Sequence, residues 1–184
     1  MRKENVSERI SENEVRRQKV VLIENLEKDF DNISRILEEL GCEVVLTFDE
    51  VSRIRGTYNA RVVVTKEFTE EFKNEVGEII KPYLGDDYIW VIDICWIEFA
   101  DRDTADRYGI KFLDDFPIKK CILISSEFSD RYKLDIAGIK FVCKKDPSGK
   151  AFSDYFKNNL ENELASLRTD NYTNEPSHGK NSPY

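Results

Sequence analysis

Four short apolar runs in this chain end on groups that can do chemistry. Lys19-Val20-Val21-Leu22-Ile23 runs into Glu24-Asn25, and Tyr88-Ile89-Trp90-Val91-Ile92 into Asp93. Cys121-Ile122-Leu123-Ile124 runs into Ser125-Ser126, and Lys140-Phe141-Val142-Cys143 into Lys144. Continuous apolar runs of this length read as strands covered on both faces. In an open α/β sheet, ligands bind beyond the carboxyl ends of the strands, near the point where strand order reverses. Parallel strands would therefore bring an acid–amide pair, a carboxylate, a hydroxyl and an ammonium to one spot. That set offers charge and hydrogen bonds rather than an imidazole or a reactive thiol.

Other chemistries fall away. The single histidine, His178, lies in a polar tail, so Ser-His-Asp and Cys-His catalysis and His-rich zinc sites lack their imidazole. The cysteines, at 42, 95, 121 and 143, show no C-x-x-C spacing and each sits in or beside an apolar run, as buried thiols of a reducing compartment do. With 36 acidic and 28 basic side chains the net charge is −8, which disfavours nonspecific attraction to nucleic acid or anionic lipid. The charged start, Met1-Arg2-Lys3-Glu4, carries no signal core, and no run approaches the roughly 18 apolar residues of a membrane span. A cytoplasmic protein is expected, with no membrane association.

The elements that would position these groups follow from periodicity. Phe30, Ile33, Ile36, Leu37 and Leu40 recur at helical spacing after the first strand, and Gly41 sits where a C-cap belongs. Cys42 to Leu46 then reads as a second strand, closing a unit of about thirty residues, the size of a βαβ motif. Residues 49–68 are ambiguous: Val62-Val63-Val64 is strand-like, so an extra hairpin or an irregular excursion is expected there. Thr69 caps a helix whose Phe72, Val76, Ile79, Ile80 and Leu84 share a face. Helices are also expected from Asp103 to Phe116, from Asp130 to Ala137, and from Asp146-Pro147-Ser148 onward with Ser148 as N-cap. Strands alternating with helices, joined by right-handed crossovers, give an α/β fold with a parallel sheet and helices on both faces. Residues 1–18 read as a charged leader, 19–167 as one domain, and 168–184 as a disordered polar tail.

Residues 19–165 resemble a response-regulator receiver domain, a divergent member of that CheY-like, flavodoxin-like family. The resemblance rests on Glu24-Asn25 as the acidic pair after the first strand, Asp93 as the phosphoacceptor strand end, and Ser125-Ser126 as the hydroxyl and small residue. Lys144 matches the family's lysine, and Phe141, three residues earlier, its aromatic switch position. What the resemblance implies is a three-layer α/β/α fold with a five-stranded sheet of order 2-1-3-4-5. It implies a two-component phosphorelay protein rather than an enzyme: Asp93 accepts a phosphoryl group from a partner histidine kinase. It further implies Mg2+ held by Glu24, Asn25, Asp93 and the backbone carbonyl of Cys95, with Ser125 and Lys144 on the phosphoryl oxygens. Phe141 would turn inward and reshape a protein-interaction face.

The chain departs from the family in specific ways. Asn25 replaces the second acid, Glu24 is one methylene longer than the usual aspartate, Lys145 stands where a proline commonly follows, and Trp96 where a smaller residue is usual. The segment after the second strand is longer by about twenty residues, well beyond ordinary loop lengths. The alternative is therefore a pseudo-receiver: a protein-binding or dimerisation module, possible as a homodimer, with weak or no Mg2+ and no phosphorylation. A flavodoxin-like cofactor protein fits less well, since residues 25–29 lack the glycines and hydroxyls that cradle a phosphate. Arg53, Arg55 and Arg61 around Tyr58 form a basic group, but charge runs are usually solvated faces. The tail is too short and polar for a DNA-binding domain, so the partner is a histidine kinase or another signalling protein.

Overall fold

The computed structural model describes residues 17–65, 70–94, 113, 116–126 and 140–169. The elements are β1 (Gln18–Ile23), α1 (Glu27–Glu39), β2 (Cys42–Val44), α2 (Phe48–Thr65), α3 (Glu70–Ile80), β3 (Tyr88–Asp93), β4 (Cys121–Ser125), β5 (Lys140–Cys143) and α4 (Asp154–Thr169). A single 3-10 turn, Lys81–Tyr83, follows α3 and carries Pro82 near its start. The five strands form one sheet of order β2-β1-β3-β4-β5, and every pairing is parallel. This is the expected 2-1-3-4-5 sheet of a three-layer α/β fold. The expected helices at 103–116 and 130–137, the leader and the tail fall largely or wholly outside the described residues.

The sheet is the core. Val20 to Ile23, Ile89 to Ile92 and Cys121 to Ile124 are buried, so β1, β3 and β4 are covered on both faces, as their unbroken apolar sequence requires. The Trp90 indole meets its polar need by donating to the Tyr83 carbonyl at 3.0 Å. Helix α1 turns Phe30, Ile33, Ile36 and Leu37 toward the sheet. It ends as its sequence predicts, with Gly41 at φ +75° and its N–H bonded to the Glu38 carbonyl at 2.9 Å. Only a glycine takes that conformation at little cost. From α4, Phe156, Leu160, Leu164 and Leu167 cover the sheet at the expected helical spacing.

Three expectations are corrected. Over 49–65, the described part of the 49–68 segment, there is no hairpin: Phe48–Thr65 is one helix of 18 residues, α2. Its start is a capping box, in which the Thr47 N–H donates to Glu50 Oε2 at 2.8 Å and the Glu50 N–H to Thr47 Oγ1 at 3.3 Å. That local signal, with Val51 and Ile54 fully buried one turn later, outweighs the β-propensity of Val62-Val63-Val64. In α3, Ile79 does not join the buried face with Val76 and Ile80 but stays 38% exposed. The last helix starts at Asp154, not at Ser148. The Asp146 side chain instead closes a turn, with its Oδ1 accepting from the Ser148 N–H, the Ser148 hydroxyl and the Lys150 N–H. An aspartate that bonds the backbone two residues on favours a turn over a helix.

Thr47→Ala should cost about 1 kcal/mol through loss of the α2 cap. Ile33→Ala, which empties a buried position on α1, should cost about 2–5 kcal/mol. Urea titration of the three proteins checks both values.

Candidate functional site

Strand register aligns the chemistry-bearing ends. Ile23 pairs with Ile92, so Glu24 and Asp93 are the next residues on adjacent strands. Asp93 pairs with Ile124, which places Ser125 one step beyond, and Ser125 pairs with Cys143, which places Lys144 one step beyond again. The ladder continues past the last strand pair, since the Lys144 N–H donates to the Ser125 carbonyl at 2.7 Å. Glu24, Asp93, Ser125 and Lys144 are all buried, and they are the buried polar and charged residues among those described.

The Lys144 ammonium holds the group together. Its Nζ donates to Glu24 Oε2 at 2.5 Å and to Asp93 Oδ2, and Asp29 Oδ2 lies 3.6 Å away. Glu24 turns its other oxygen back on its own loop: Oε1 accepts from the N–H of Asn25 at 2.9 Å and of Leu26 at 3.2 Å. Both oxygens of this carboxylate are therefore in use. The structure thus brings Glu24, Asp93, Ser125 and Lys144 to one end of the sheet as the sequence predicts. Asn25 sits half-buried on the adjoining loop, and Phe141 is a half-buried residue of β5 packed against the core. Cys95 and Trp96 lie outside the described residues.

Two neighbours escaped the sequence reading. Asp29, in the first turn of α1, brings a third carboxylate toward the ammonium. Acidic residues are common in a first turn because they complement the helix dipole, so its type and position alone do not mark it. Arg55, on α2, donates through Nη1 to the Asn25 carbonyl at 2.6 Å. With residues 49–68 read as a hairpin or excursion, no helix was in place to aim it there.

Electrostatics follow from this packing. Burial pushes the Glu24 carboxyl up from its usual 4.5 to about 7; the Asp93 carboxylate adds to the shift, while Lys144 and the Leu26 N–H oppose it. Burial pulls the Lys144 ammonium down, but the carboxylates of Asp93 and Glu24 more than offset it, and its pKa is held above the usual lysine range. The Glu24 and Asp93 oxygens are hard donors of the kind Mg2+ takes. Their arrangement nonetheless fits an ammonium: both turn an oxygen to Lys144, and among the described residues no three His, Cys, Asp or Glu side chains form a group able to hold a metal ion.

Removing Lys144 would strand two buried carboxylates, so Lys144→Met should destabilise the fold by about 3–5 kcal/mol at pH 8. Thermal or urea unfolding reads this directly, with a smaller loss at pH 5 where a carboxyl can take up a proton. The raised Glu24 pKa sets a second expectation. Its folded value exceeds its unfolded one, so the stability it contributes is complete below about 4.5 and is lost as pH rises through about 7. The loss is on the order of 3 kcal/mol between those limits. Glu24→Gln should flatten the stability profile across that window.

Among the described residues no helix is long and apolar enough to cross a membrane. The chain matches no protein-family model, no curated protein and no solved structure.

Proposed function

We propose that this chain is a receiver-like signalling domain that accepts a phosphoryl group on Asp93 and, in response, changes a protein-interaction face. The observation that carries the reading is the buried Glu24–Lys144–Asp93 cluster at the carboxyl end of a parallel 2-1-3-4-5 sheet, with Ser125 one step along β4. In this reading an Asp93 carboxylate oxygen attacks phosphorus, and the bond to the donor, a phosphohistidine nitrogen on a partner kinase, breaks. The imidazole leaves and is neutralised by a proton from solvent, while Asp93 becomes an acyl phosphate. Such a transfer asks the protein mainly for positioning and for neutralisation of oxygen charge. Lys144, already paired with Asp93, is placed to follow the new charge onto a phosphoryl oxygen, and the Ser125 hydroxyl to donate to another. Phe141 on β5 couples the site to the face it helps form, a local charge change biasing a two-state element. The chain acts as acceptor and switch rather than as an enzyme on a separate substrate, and no step is assigned to Mg2+.

One observation favours the pseudo-receiver as the second reading. The Glu24 carboxylate is saturated, one oxygen by two backbone N–H groups and the other by Lys144, so the cluster is complete as it stands. A site already satisfied internally suits a module that binds partners or a second copy through its fold alone. Incubation with acetyl phosphate, with and without Mg2+, separates the two. The phosphoacceptor reading expects an intact-mass gain of one phosphoryl group that Asp93→Asn abolishes. No gain at millimolar Mg2+, together with partner binding that survives Asp93→Asn, would establish the pseudo-receiver instead.

A further inference from the structure

Helix α2 reaches the site through Arg55. The residue follows fully buried Ile54, so its backbone is anchored by the core, and its half-buried guanidinium donates to the Asn25 carbonyl at 2.6 Å. The Asn25 N–H, with that of Leu26, holds Glu24 Oε1, while Glu24 Oε2 meets the Lys144 ammonium, which in turn meets Asp93. A continuous line of hydrogen bonds thus runs from α2 to Asp93. The loop it crosses, residues 24–26, carries no regular secondary structure; the Leu26 carbonyl accepts from the Phe30 N–H at 2.8 Å, and side-chain bonds hold the rest. A guanidinium bond to a carbonyl is charge-assisted and stronger than a neutral one.

We propose that Arg55 is a positioning residue of the Asp93 site: by fixing the Asn25 carbonyl it fixes the loop whose N–H groups aim the Glu24 carboxylate, and so sets the rate at which Asp93 takes a phosphoryl group. The kinetic half rests on the phosphoacceptor reading; the effect on the loop does not. Arg55 adds a positive charge beside a residue that is an amide rather than an acid.

The test compares Arg55→Gln and Arg55→Lys with the parent chain in two measurements. Amide hydrogen exchange at Asn25 and Leu26 is read against the Ile92 amide in β3. Phosphorylation by acetyl phosphate is followed over a range of donor concentrations. In Arg55→Gln the two loop amides should exchange roughly tenfold faster, as expected for loss of a charged-donor hydrogen bond, while Ile92 keeps its protection. The limiting rate constant of phosphorylation at saturating acetyl phosphate should fall by roughly tenfold with the half-saturating donor concentration little changed, and Arg55→Lys should recover part of both losses. Unchanged loop amides, a uniform loss of protection that includes Ile92, or loosened amides with an unaltered limiting rate constant would each overturn the proposal. Should Arg55→Gln not fold, Arg55→Lys decides by the same amides. If the parent chain takes no phosphoryl group, the phosphoacceptor reading falls while the loop amides still decide whether Arg55 positions the loop.

Discussion

A buried ammonium dictates the layout of this protein. Lys144 is 1% exposed, and an unpaired charge at such a depth is not tolerated. Its partners, Glu24 and Asp93, come from the ends of β1 and β3, and Lys144 itself from the end of β5. The cluster forms only if β1, β3, β4 and β5 lie parallel, in that order and in the observed register. A slip of one residue on β1, β3 or β5 would turn its charged end group to the opposite face and leave a charge uncompensated. The apolar core supplies the bulk of the burial energy, and the ion cluster makes one register much better than its neighbours. Specificity of this kind is a recognised use of buried polar groups.

The same cluster decides what the site can respond to. Two carboxylates share one ammonium, with a third 3.6 Å away, so the site carries surplus negative charge in a medium that screens poorly. Part of that surplus is absorbed by Glu24, which holds its proton to higher pH than an exposed carboxyl does. Any added charge, a phosphoryl group included, must redistribute the existing contacts of Lys144.

Legibility in the sequence follows the range of the forces involved. The strands were readable because burial on both faces writes an unbroken apolar run, and their end groups were readable because each follows such a run directly. α1 was readable from its period and its closing glycine. The nature of α2 was not: Val62-Val63-Val64 carries strand propensity, and the Thr47–Glu50 capping box that settles the matter is two residues in a polar stretch. The start of α4 is not legible because Asp146-Pro147-Ser148 has the composition of both a cap and a turn, and the turn is closed by the Lys150 N–H, four residues on. The links of Asp29 and Arg55 to the site are illegible in the sequence for a different reason. Each reaches the site through tertiary geometry, Arg55 across thirty residues of sequence, and neither differs in type from an ordinary surface charge.

The turn after Lys144 has a mechanical meaning. The Lys144 main chain is pinned from both sides: its N–H is tied to the Ser125 carbonyl, and its carbonyl to the Phe152 N–H at 2.9 Å. Between them, Lys145 and Ala151 form an antiparallel bridge, and the Asp146 carboxylate braces the turn from within. Where a pyrrolidine ring would stiffen this junction covalently, hydrogen bonds closing on themselves do so here. Residues 144–152 therefore tie the buried ammonium to the start of α4 through one closed set of hydrogen bonds, so the two ends of the turn share the same support.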